Sequence, residues 1–261
     1  MTPVLTDKFQ KVLLFARQDL IDRYRADLLG TAWLVIQPLL TILLFSAVFS
    51  TLMRARLPAL DPTFGYTTYL ITGILAWACF SQILGRLAGW YKDRSGLYRK
   101  IPLGLFAPPL SVLLVEWSLF GISMALFLLF LLSIGHPVGW SWLWLLPVLG
   151  LLSAHAYAVG LVLGMLEVFV SDIRRVVPLM LQLGFWLTPI VYTVDVLPES
   201  LRSVVTSSPI AQLIMAMHAI ILYGNAPSAD LFIEQAIVAG GLILLATALG
   251  RRIRKALRDA L

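Results

Sequence analysis

The longest stretch of sequence without a charged residue, positions 117–166, decides the fold class. It reads WSLFGISMALFLLFLLSIGHPVGWSWLWLLPVLGLLSAHAYAVGLVLGML. A helix that crosses a membrane needs about 20 predominantly apolar residues, and this stretch contains 50. The turn-forming triplet Gly135-His136-Pro137 separates two apolar halves. The stretch therefore predicts two membrane-spanning helices joined by a short turn.

The whole chain has the same apolar character. Of its 261 residues, 59% are hydrophobic and 13% are charged, whereas a soluble domain carries about 25% charged residues. This charge is too small to cover a water-facing surface, which excludes a disordered chain, a fibrous repeat and a nucleic-acid-binding domain. The first residues contain no long apolar run, so we expect no cleavable signal peptide. The single cysteine, Cys79, can form neither an internal disulfide nor the centre of a metal site.

Charge-free stretches on both sides of this pair raise the number of predicted spans to six. The spans are predicted at 31–53, 66–90, 105–134, 140–169, 175–195 and 230–250. A further uncharged stretch, 203–229, does not fit the pattern. Turn signals interrupt it near both ends, at Ser207-Ser208-Pro209 and at Gly224-Asn225-Ala226-Pro227.

The distribution of positive charge decides how this stretch is interpreted. With six spans and both termini in the cytoplasm, 17 of the 20 Lys and Arg residues lie on the cytoplasmic side, the excess that is typical of cytoplasmic loops. A seventh span would move the five basic residues of the tail outside. We therefore predict two short re-entrant helices at 197–222, which need protein or a water-filled cavity around them. The fold class is all-α integral membrane, with a single transmembrane domain at 31–261.

The segment before the first span, residues 1–30, is predicted to be a cytoplasmic amphipathic helix. Between residues 9 and 29 apolar side chains recur at steps of three and four, and charged side chains occupy the other face. Such a helix lies along the inner membrane surface. Leu29-Gly30 ends it, and Trp33 anchors the next helix at the interface.

Several ordered motifs resemble a known family. The run RYRADLLGTAW at 23–33, followed by QPLL at 37–40 and VF at 48–49, resembles the opening of the permease subunit of polysaccharide ABC exporters, which are type-2 ABC permeases. Their pattern reads R-Y-x-x-S-x-L-G-x-x-W, from which Ala26-Asp27 departs. LYRKIP at 97–102, SDIR at 171–174 and FWLTPIVY at 185–192 resemble later family segments. Leu197-Pro198 and Ser208-Pro209 follow, and Ser208 stands where Asn is usual.

The resemblance implies a homodimer in the bacterial inner membrane that exports a lipid-linked polysaccharide of O-antigen, capsule or teichoic-acid type. The chain has no phosphate-binding loop, because none of its five lysines follows the required glycine pattern. We therefore expect ATP and Mg to be bound by a separate ATP-binding cassette ATPase, and no cofactor in this chain. The ATPase is expected to dock on a coupling segment at 91–101, through Tyr91, Lys92, Arg94, Tyr98, Arg99 and Lys100. The alternative is a simple loop whose charges only set the topology.

Two further sets of residues are candidates for substrate contacts. Arginine binds phosphate oxygens through two parallel hydrogen bonds, so a lipid diphosphate is expected to enter at Arg17, Arg23, Tyr24, Arg25 and Gly30. Anchoring to lipid headgroups is the alternative there. Aromatic rings stack on sugar faces, so Tyr69, Trp77, Phe80, Phe185, Trp186 and Tyr192 are candidate pore residues. The alternatives for these rings are interfacial belts and helix packing.

The charged residues at span depth leave two interpretations open. A carboxylate inside a membrane is costly and is usually paired, so Arg86 is the expected partner of Glu116 or Glu167. Proton coupling is the functional alternative. The three histidines are scattered along the sequence, so we predict no catalytic residues and no metal ligands. The alternative functions are a permease for a small drug or lipid, and a membrane-embedded transferase.

Overall fold

The computed structural model describes residues 3–25, 28–52, 64–100 and 104–260, and within these ranges it contains helices and no strand. Turns of 3-10 helix precede two of the long helices, at Gly30–Ala32 and Trp140–Trp144, and a third lies at Val194–Val196. The α-helices are α1 (Pro3–Tyr24), α2 (Trp33–Leu52), α3 (Gly65–Ala88), α4 (Trp90–Asp93), α5 (Ser95–Lys100), α6 (Leu110–Ser133), α7 (Leu145–Glu167), α8 (Ile173–Leu187), α9 (Glu199–Thr206), α10 (Pro209–Tyr223) and α11 (Ala229–Ala260).

Five helical segments in the described part of the chain are long and apolar enough to cross a membrane. They are Gly30–Val48, Gly65–Ala88, Leu110–Ser133, Trp140–Glu167 and Ala229–Leu257. Each coincides with a predicted span, because an apolar run of this length can satisfy its backbone in a membrane only as a helix. Residue 53 of the first predicted span and residue 101 of the coupling segment lie outside the described residues.

The predicted fifth span, 175–195, is shorter in the structure than expected. Helix α8 has 15 residues, about 22 Å at 1.5 Å per residue, whereas the hydrocarbon core of a bilayer is about 30 Å thick. It ends because Pro189 disfavours a helical conformation at the residue before it. Thr188 accordingly has the extended angles φ −94° and ψ 140°.

Helices α9 and α10 lie where the re-entrant pair was predicted, and their axes differ by 89°. Pro209 occupies the first turn of α10, where its missing N–H costs nothing. Gly224 ends α10 at φ 67°, a left-handed conformation that favours glycine. Helix α10 buries Leu213, Ile214 and Met217 and packs against α3 and α7.

Helix α3 is the centre of the bundle and contacts α2, α6, α7, α8 and α10. Its closest approach is to α7, where Gly160 and Gly164 face it. A Cβ at Gly160 would lie 2.7 Å from Leu87 Cβ, and one at Gly164 would overlap the carbonyl oxygen of Leu87. Small residues four positions apart let two membrane helices pack with their backbones close together. This glycine pair belongs to none of the sequence motifs noted above.

The two ends of the bundle differ in chemistry. At one end of the bundle, ion pairs lie where α3 and α7 end and where α6 and α8 begin. Tyrosine and tryptophan side chains gather at the opposite end, around the start of α3 and α7. Because basic residues favour the cytoplasmic side, we refer to the first as the charged end and to the second as the aromatic end.

Candidate functional site

An ionic cluster joins four elements at the charged end. Arg86 Nη1 of α3 donates to Glu116 Oε1 of α6 at 2.7 Å, and Arg86 Nη2 donates to Asp19 of α1. Arg23 Nη1 also donates to Glu116 Oε1, at 3.1 Å, and Arg94 Nη2 donates to Asp19 Oδ1, at 3.3 Å. The predicted pairing of Arg86 with one of the two glutamates is therefore confirmed for Glu116. This carboxylate is only 3% exposed, and its two arginine partners offset the cost of burying it.

The short helix α4 and the residue after it are held by charged side chains from three other helices or their ends. Arg94, which follows α4, bonds Asp19 of α1 and lies 3.6 Å from the centre of the Trp90 ring. Asp93 accepts a hydrogen bond from Arg174 in the first turn of α8. Lys92 of α4 connects to the end of α7 and the loop after it. Its Nζ donates to Ser171 Oγ at 2.7 Å and lies 3.7 Å from Glu167 Oε1. A displacement of α4 must therefore act on α1, α7 and α8.

The predicted coupling residues divide into internal and exposed ones. Tyr91 is fully buried, and its hydroxyl donates to the carbonyl of Leu105 at 2.8 Å. Tyr98 is half-buried, its hydroxyl accepts from Trp90 Nε1, and burial raises its pKa to about 12. These two rings pack inside the subunit, so they are unsuited to direct contact with an ATPase.

The charged members of the coupling set are more accessible. Lys92 and Arg99 are exposed and Arg94 is half-buried. The side chain of Lys100 lies outside the described part of the chain. The structure therefore leaves Lys92, Arg94 and Arg99 as the described members of the set that can reach a partner.

The candidate diphosphate residues do not form one group. Arg17 and Arg25 are exposed, whereas Arg23 is engaged with Glu116 in the ionic cluster. Gly30 has φ 49°, in the left-handed region, which explains why glycine stands at the break between α1 and α2. The side chain of Tyr24 lies outside the described residues.

A cavity of about 670 Å³ lies between α3 and α8, next to α4. Such a volume falls in the range of about 300–1,000 Å³ that is usual for small-molecule sites. Two arginines, one aspartate, two glutamines and two aromatic rings line it, namely Arg86, Arg174, Asp93, Gln82, Gln182, Trp77 and Phe185. Trp77 and Phe185 were predicted from the sequence as candidate pore residues, whereas the two glutamines belong to no sequence motif.

Two of the six aromatic candidates have packing roles instead. The hydroxyl of Tyr69 lies 2.7 Å from the carbonyl oxygens of Pro189 and Tyr192, and its ring stacks on His218 at 3.9 Å. Phe80 is 3% exposed and packs against Trp77. Within the described part of one subunit both rings therefore face protein and not a cavity. Tyr69 instead satisfies carbonyls left unpaired where α8 ends.

The remaining candidates on α8 and after it have different surroundings. Trp186 is 60% exposed and Tyr192 is half-buried. Trp186 continues an exposed apolar face of α8 that consists of Val176, Leu179, Met180, Leu183 and Leu187. This face has no partner among the described residues of one subunit, so it is available to lipid or to a second copy.

Comparison with known proteins agrees with this architecture. The profile of the ABC-2 type transporter family matches residues 10–222. A protein of Klebsiella pneumoniae named O-antigen export system permease protein RfbA is 27% identical over 218 residues, which cover 83% of this chain and 82% of that protein. A protein of the same name from Myxococcus xanthus is 26% identical over 241 residues, covering 91% of this chain and 90% of the relative. The chain therefore belongs to the ABC-2 type transporter family, and it is the multi-pass membrane subunit of an ABC transporter.

Proposed function

We propose that this protein exports a lipid-linked polysaccharide of the O-antigen class from the cytoplasmic to the outer side of the bacterial inner membrane. A homodimer of the permease does so with a separate ATP-binding cassette ATPase, which binds ATP and Mg. The names of the relatives support the substrate class. The observation that carries the proposal is the cavity between α3 and α8, because it combines arginine, amide and aromatic side chains near the charged end, with both arginines also paired to carboxylates.

The lining of this cavity suits the region where a lipid diphosphate meets its first sugars. Arginine binds phosphate oxygens in a bidentate manner, glutamine amides donate to and accept from hydroxyl groups, and aromatic rings stack on sugar faces. Arg174 lies at the α4 side of the cavity and Phe185 lies three turns further along α8. In this proposal Arg17 and Arg25 attract the lipid diphosphate at the membrane surface, and the cavity receives it.

A six-span topology with both termini in the cytoplasm is part of the proposal. Arg174, at the start of α8, bonds Asp93 at the charged end of α3, and Pro189, after α8, contacts Tyr69 near the other end. Tyr69 and Arg86 are 17 residues apart on α3, which corresponds to about 25 Å. The chain from α8 to Pro189 therefore runs along most of α3, and this supports α8 with its extended continuation as the fifth span.

The contacts of α10 support a re-entrant path for α9 and α10, which we propose as an outer gate at 197–222. Gln235, six residues after the start of α11, donates to Gln212 near the start of α10 at 2.6 Å. The carbonyl of Ile221, near the end of α10, contacts His136 just beyond α6. Helix α10 therefore begins inside the bundle, at a distance from the aromatic end, and ends at the aromatic end.

The transport path is proposed to lie between two subunits. A polysaccharide is larger than the 670 Å³ cavity of one subunit, and a two-fold dimer can enclose a wider path. Only 6% of the residues in the apolar part of the first span are buried, and α8 exposes an apolar face. We propose that the exposed surfaces of α2 and α8 contact the second subunit and line the path. Phe185, Trp186 and Tyr192 then face the path. Residues 1–30 and 31–261 then form the interface helix and the single permease domain.

The test is reconstitution of the permease with its ATPase and a lipid-linked glycan. Gln182→Ala and Phe185→Ala change the cavity and are expected to lower glycan-stimulated ATP hydrolysis and glycan translocation together. Trp140→Ala is the matched control, because Trp140 is an exposed aromatic residue at the other end of the bundle. Unchanged translocation in both cavity variants would contradict the proposal. Stimulation by small amphipathic compounds but not by glycan would favour the drug or lipid permease.

A further inference from the structure

A second, apolar crevice of about 300 Å³ lies among α6, α7 and α11. Its walls are the start of α6, the middle of α7 and the middle of α11. They include Leu110 of α6, Leu161 of α7 and Ile243 of α11. The crevice therefore has no shared wall with the cavity between α3 and α8, and the proposed transport path does not explain it.

The polar groups along the crevice are bonded within the protein. Tyr157 of α7 donates its hydroxyl to the carbonyl of Phe106, and Thr247 Oγ1 of α11 donates to the carbonyl of Leu244 at 2.9 Å. What remains available to a ligand is hydrocarbon surface. A sugar or a peptide backbone would leave polar groups unpaired in such a crevice, whereas an acyl chain would not.

The depth of the crevice matches the upper part of a lipid chain in the cytoplasmic leaflet. Leu161 lies six residues before Glu167, where α7 ends at the charged end, so the crevice is about 9 Å from that end. Thr247 lies four residues before Arg251, where the exposed basic residues of α11 begin. A lipid in the crevice would therefore place its headgroup beside those residues.

Arg254 and Arg251 continue the crevice face of α11. Both are exposed, and Arg254 lies seven residues, about two helical turns, after Thr247 and is turned by about 20° from it, whereas Arg251 lies four residues after it and is turned by about 40°. Arg252 is equally exposed, but its position five residues after Thr247 turns it by about 140° from that face. Basic pockets between transmembrane helices on the cytoplasmic side bind anionic lipid headgroups. The charge of Arg254 thus complements a phosphate on the lipid whose chain fills the crevice.

We propose that the crevice formed by α6, α7 and α11 is a binding site for an anionic phospholipid, with an acyl chain between Leu110, Leu161 and Ile243 and the headgroup phosphate on Arg254. This inference goes beyond the proposed transport function. The lipid would hold α11 against α7 in the cytoplasmic leaflet.

The test is native mass spectrometry of the full permease, purified with its ATPase from nanodiscs that contain equal amounts of phosphatidylglycerol and phosphatidylcholine. The wild type is expected to retain phosphatidylglycerol preferentially. Arg254→Gln should reduce that retention about fivefold, since one basic residue near the surface contributes about this factor. Arg252→Gln removes the same charge from another face and should leave the retention unchanged. An equal loss in both variants, or none in Arg254→Gln, would overturn the proposal.

A second variant tests the crevice itself. Ile243→Trp at its half-open edge is expected to displace the lipid at unchanged thermal stability, and Leu244→Trp, on an exposed neighbouring position, is its control. Retention of phosphatidylglycerol in Ile243→Trp would overturn the assignment of the acyl chain. The assignment would also be overturned if Ile243→Trp displaced a bound polypeptide or a second permease copy instead of lipid. Because Arg254→Gln changes only an exposed side chain, it keeps the test decisive if Ile243→Trp does not fold.

Discussion

Asp93 and Arg174 connect the end of α4 to the first turn of α8 by a hydrogen-bonded ion pair, although 81 residues separate them in the sequence. Asp93 belongs to the segment proposed to dock on the ATPase, and Arg174 lines the proposed substrate cavity. The pair is therefore a direct link between the site where ATP hydrolysis would act and the helix that would move substrate. Both side chains are about half exposed, so the pair adds little stability, typically about 0–1 kcal/mol.

Reversing one charge of this pair should uncouple hydrolysis from transport. We expect Asp93→Arg and Arg174→Asp each to lower glycan translocation per ATP hydrolysed, because like charges then separate α4 from α8. The free energy of unfolding should change by no more than about 1 kcal/mol. The double exchange Asp93→Arg with Arg174→Asp restores the attraction and should restore translocation. Glycan translocation and ATP hydrolysis can be measured in the same proteoliposomes. Failure of the double exchange to recover translocation would refute the link.

The ionic cluster should behave differently, because it is buried. Arg86→Met removes the shortest contact of Glu116 and leaves that carboxylate with Arg23 alone among the partners described here. Loss of one partner of a buried pair typically costs about 3–5 kcal/mol, and the remaining arginine should reduce this cost. We expect a clear fall in the thermal unfolding temperature of the purified permease.

The control for Arg86→Met is Arg175→Met, which removes an exposed arginine at the start of α8. Its unfolding temperature should stay near that of the wild type. Adding Glu116→Gln to Arg86→Met should recover part of the loss, because an amide is cheaper to bury than an unpaired carboxylate. An additive double variant would show that the two residues are not coupled.

Helix bounds could be predicted from the sequence where a single local rule decides them. The apolar runs of α3, α6 and α7 predict membrane-length helices, and the structure contains helices there that are long and apolar enough to span a membrane. The end of α8 follows from Pro189, whereas the charge-free run to Val194 predicts a longer helix; a lack of charge therefore does not by itself set a helix end. The four-residue spacing of Gly160 and Gly164 is a local signal for close helix packing.

The site could be predicted less completely, because its contacts join distant parts of the chain. That Arg86 pairs with Glu116 or Glu167 followed from the cost of a carboxylate at span depth, which is a local argument, and the structure selects Glu116. The bond between Asp93 and Arg174 and the contact of Lys92 with Glu167 depend on how α4 packs between α7 and α8. No spacing in the sequence encodes that packing.

The close approach of α3 and α7 gives a prediction with a built-in control. Gly164→Ala would bring a Cβ into the carbonyl oxygen of Leu87, so the helices must separate. Overpacking of this kind typically costs about 1–3 kcal/mol. Gly150→Ala on the same helix meets nothing within 4 Å and should be neutral or stabilising by up to about 1 kcal/mol. Equal unfolding temperatures for the two variants would contradict the tight packing of α3 on α7.

The dimer proposal makes a geometric prediction about α2 and α8. Leu44 lies 11 residues after the start of α2, and Leu183 lies 10 residues after the start of α8. Both helices start at the charged end in the proposed topology, so both residues lie about 15 Å from it. Each side chain is about 60% exposed on an apolar face. Two-fold symmetry that places α2 of one copy beside α8 of the other would bring them together twice.

In a Cys79→Ala background, Leu44→Cys combined with Leu183→Cys should therefore give a covalent dimer with a short thiol cross-linker in membranes. Each single variant should cross-link poorly, because symmetry pairs α2 with α8 rather than either helix with itself. The matched control is Leu44→Cys combined with Ile237→Cys, since Ile237 is 70% exposed on α11 but lies outside the proposed contact. The covalent dimer is detected by its lower mobility on a non-reducing gel. Stronger cross-linking through Ile237→Cys would place the contact on α11 and exclude a path lined by α2 and α8.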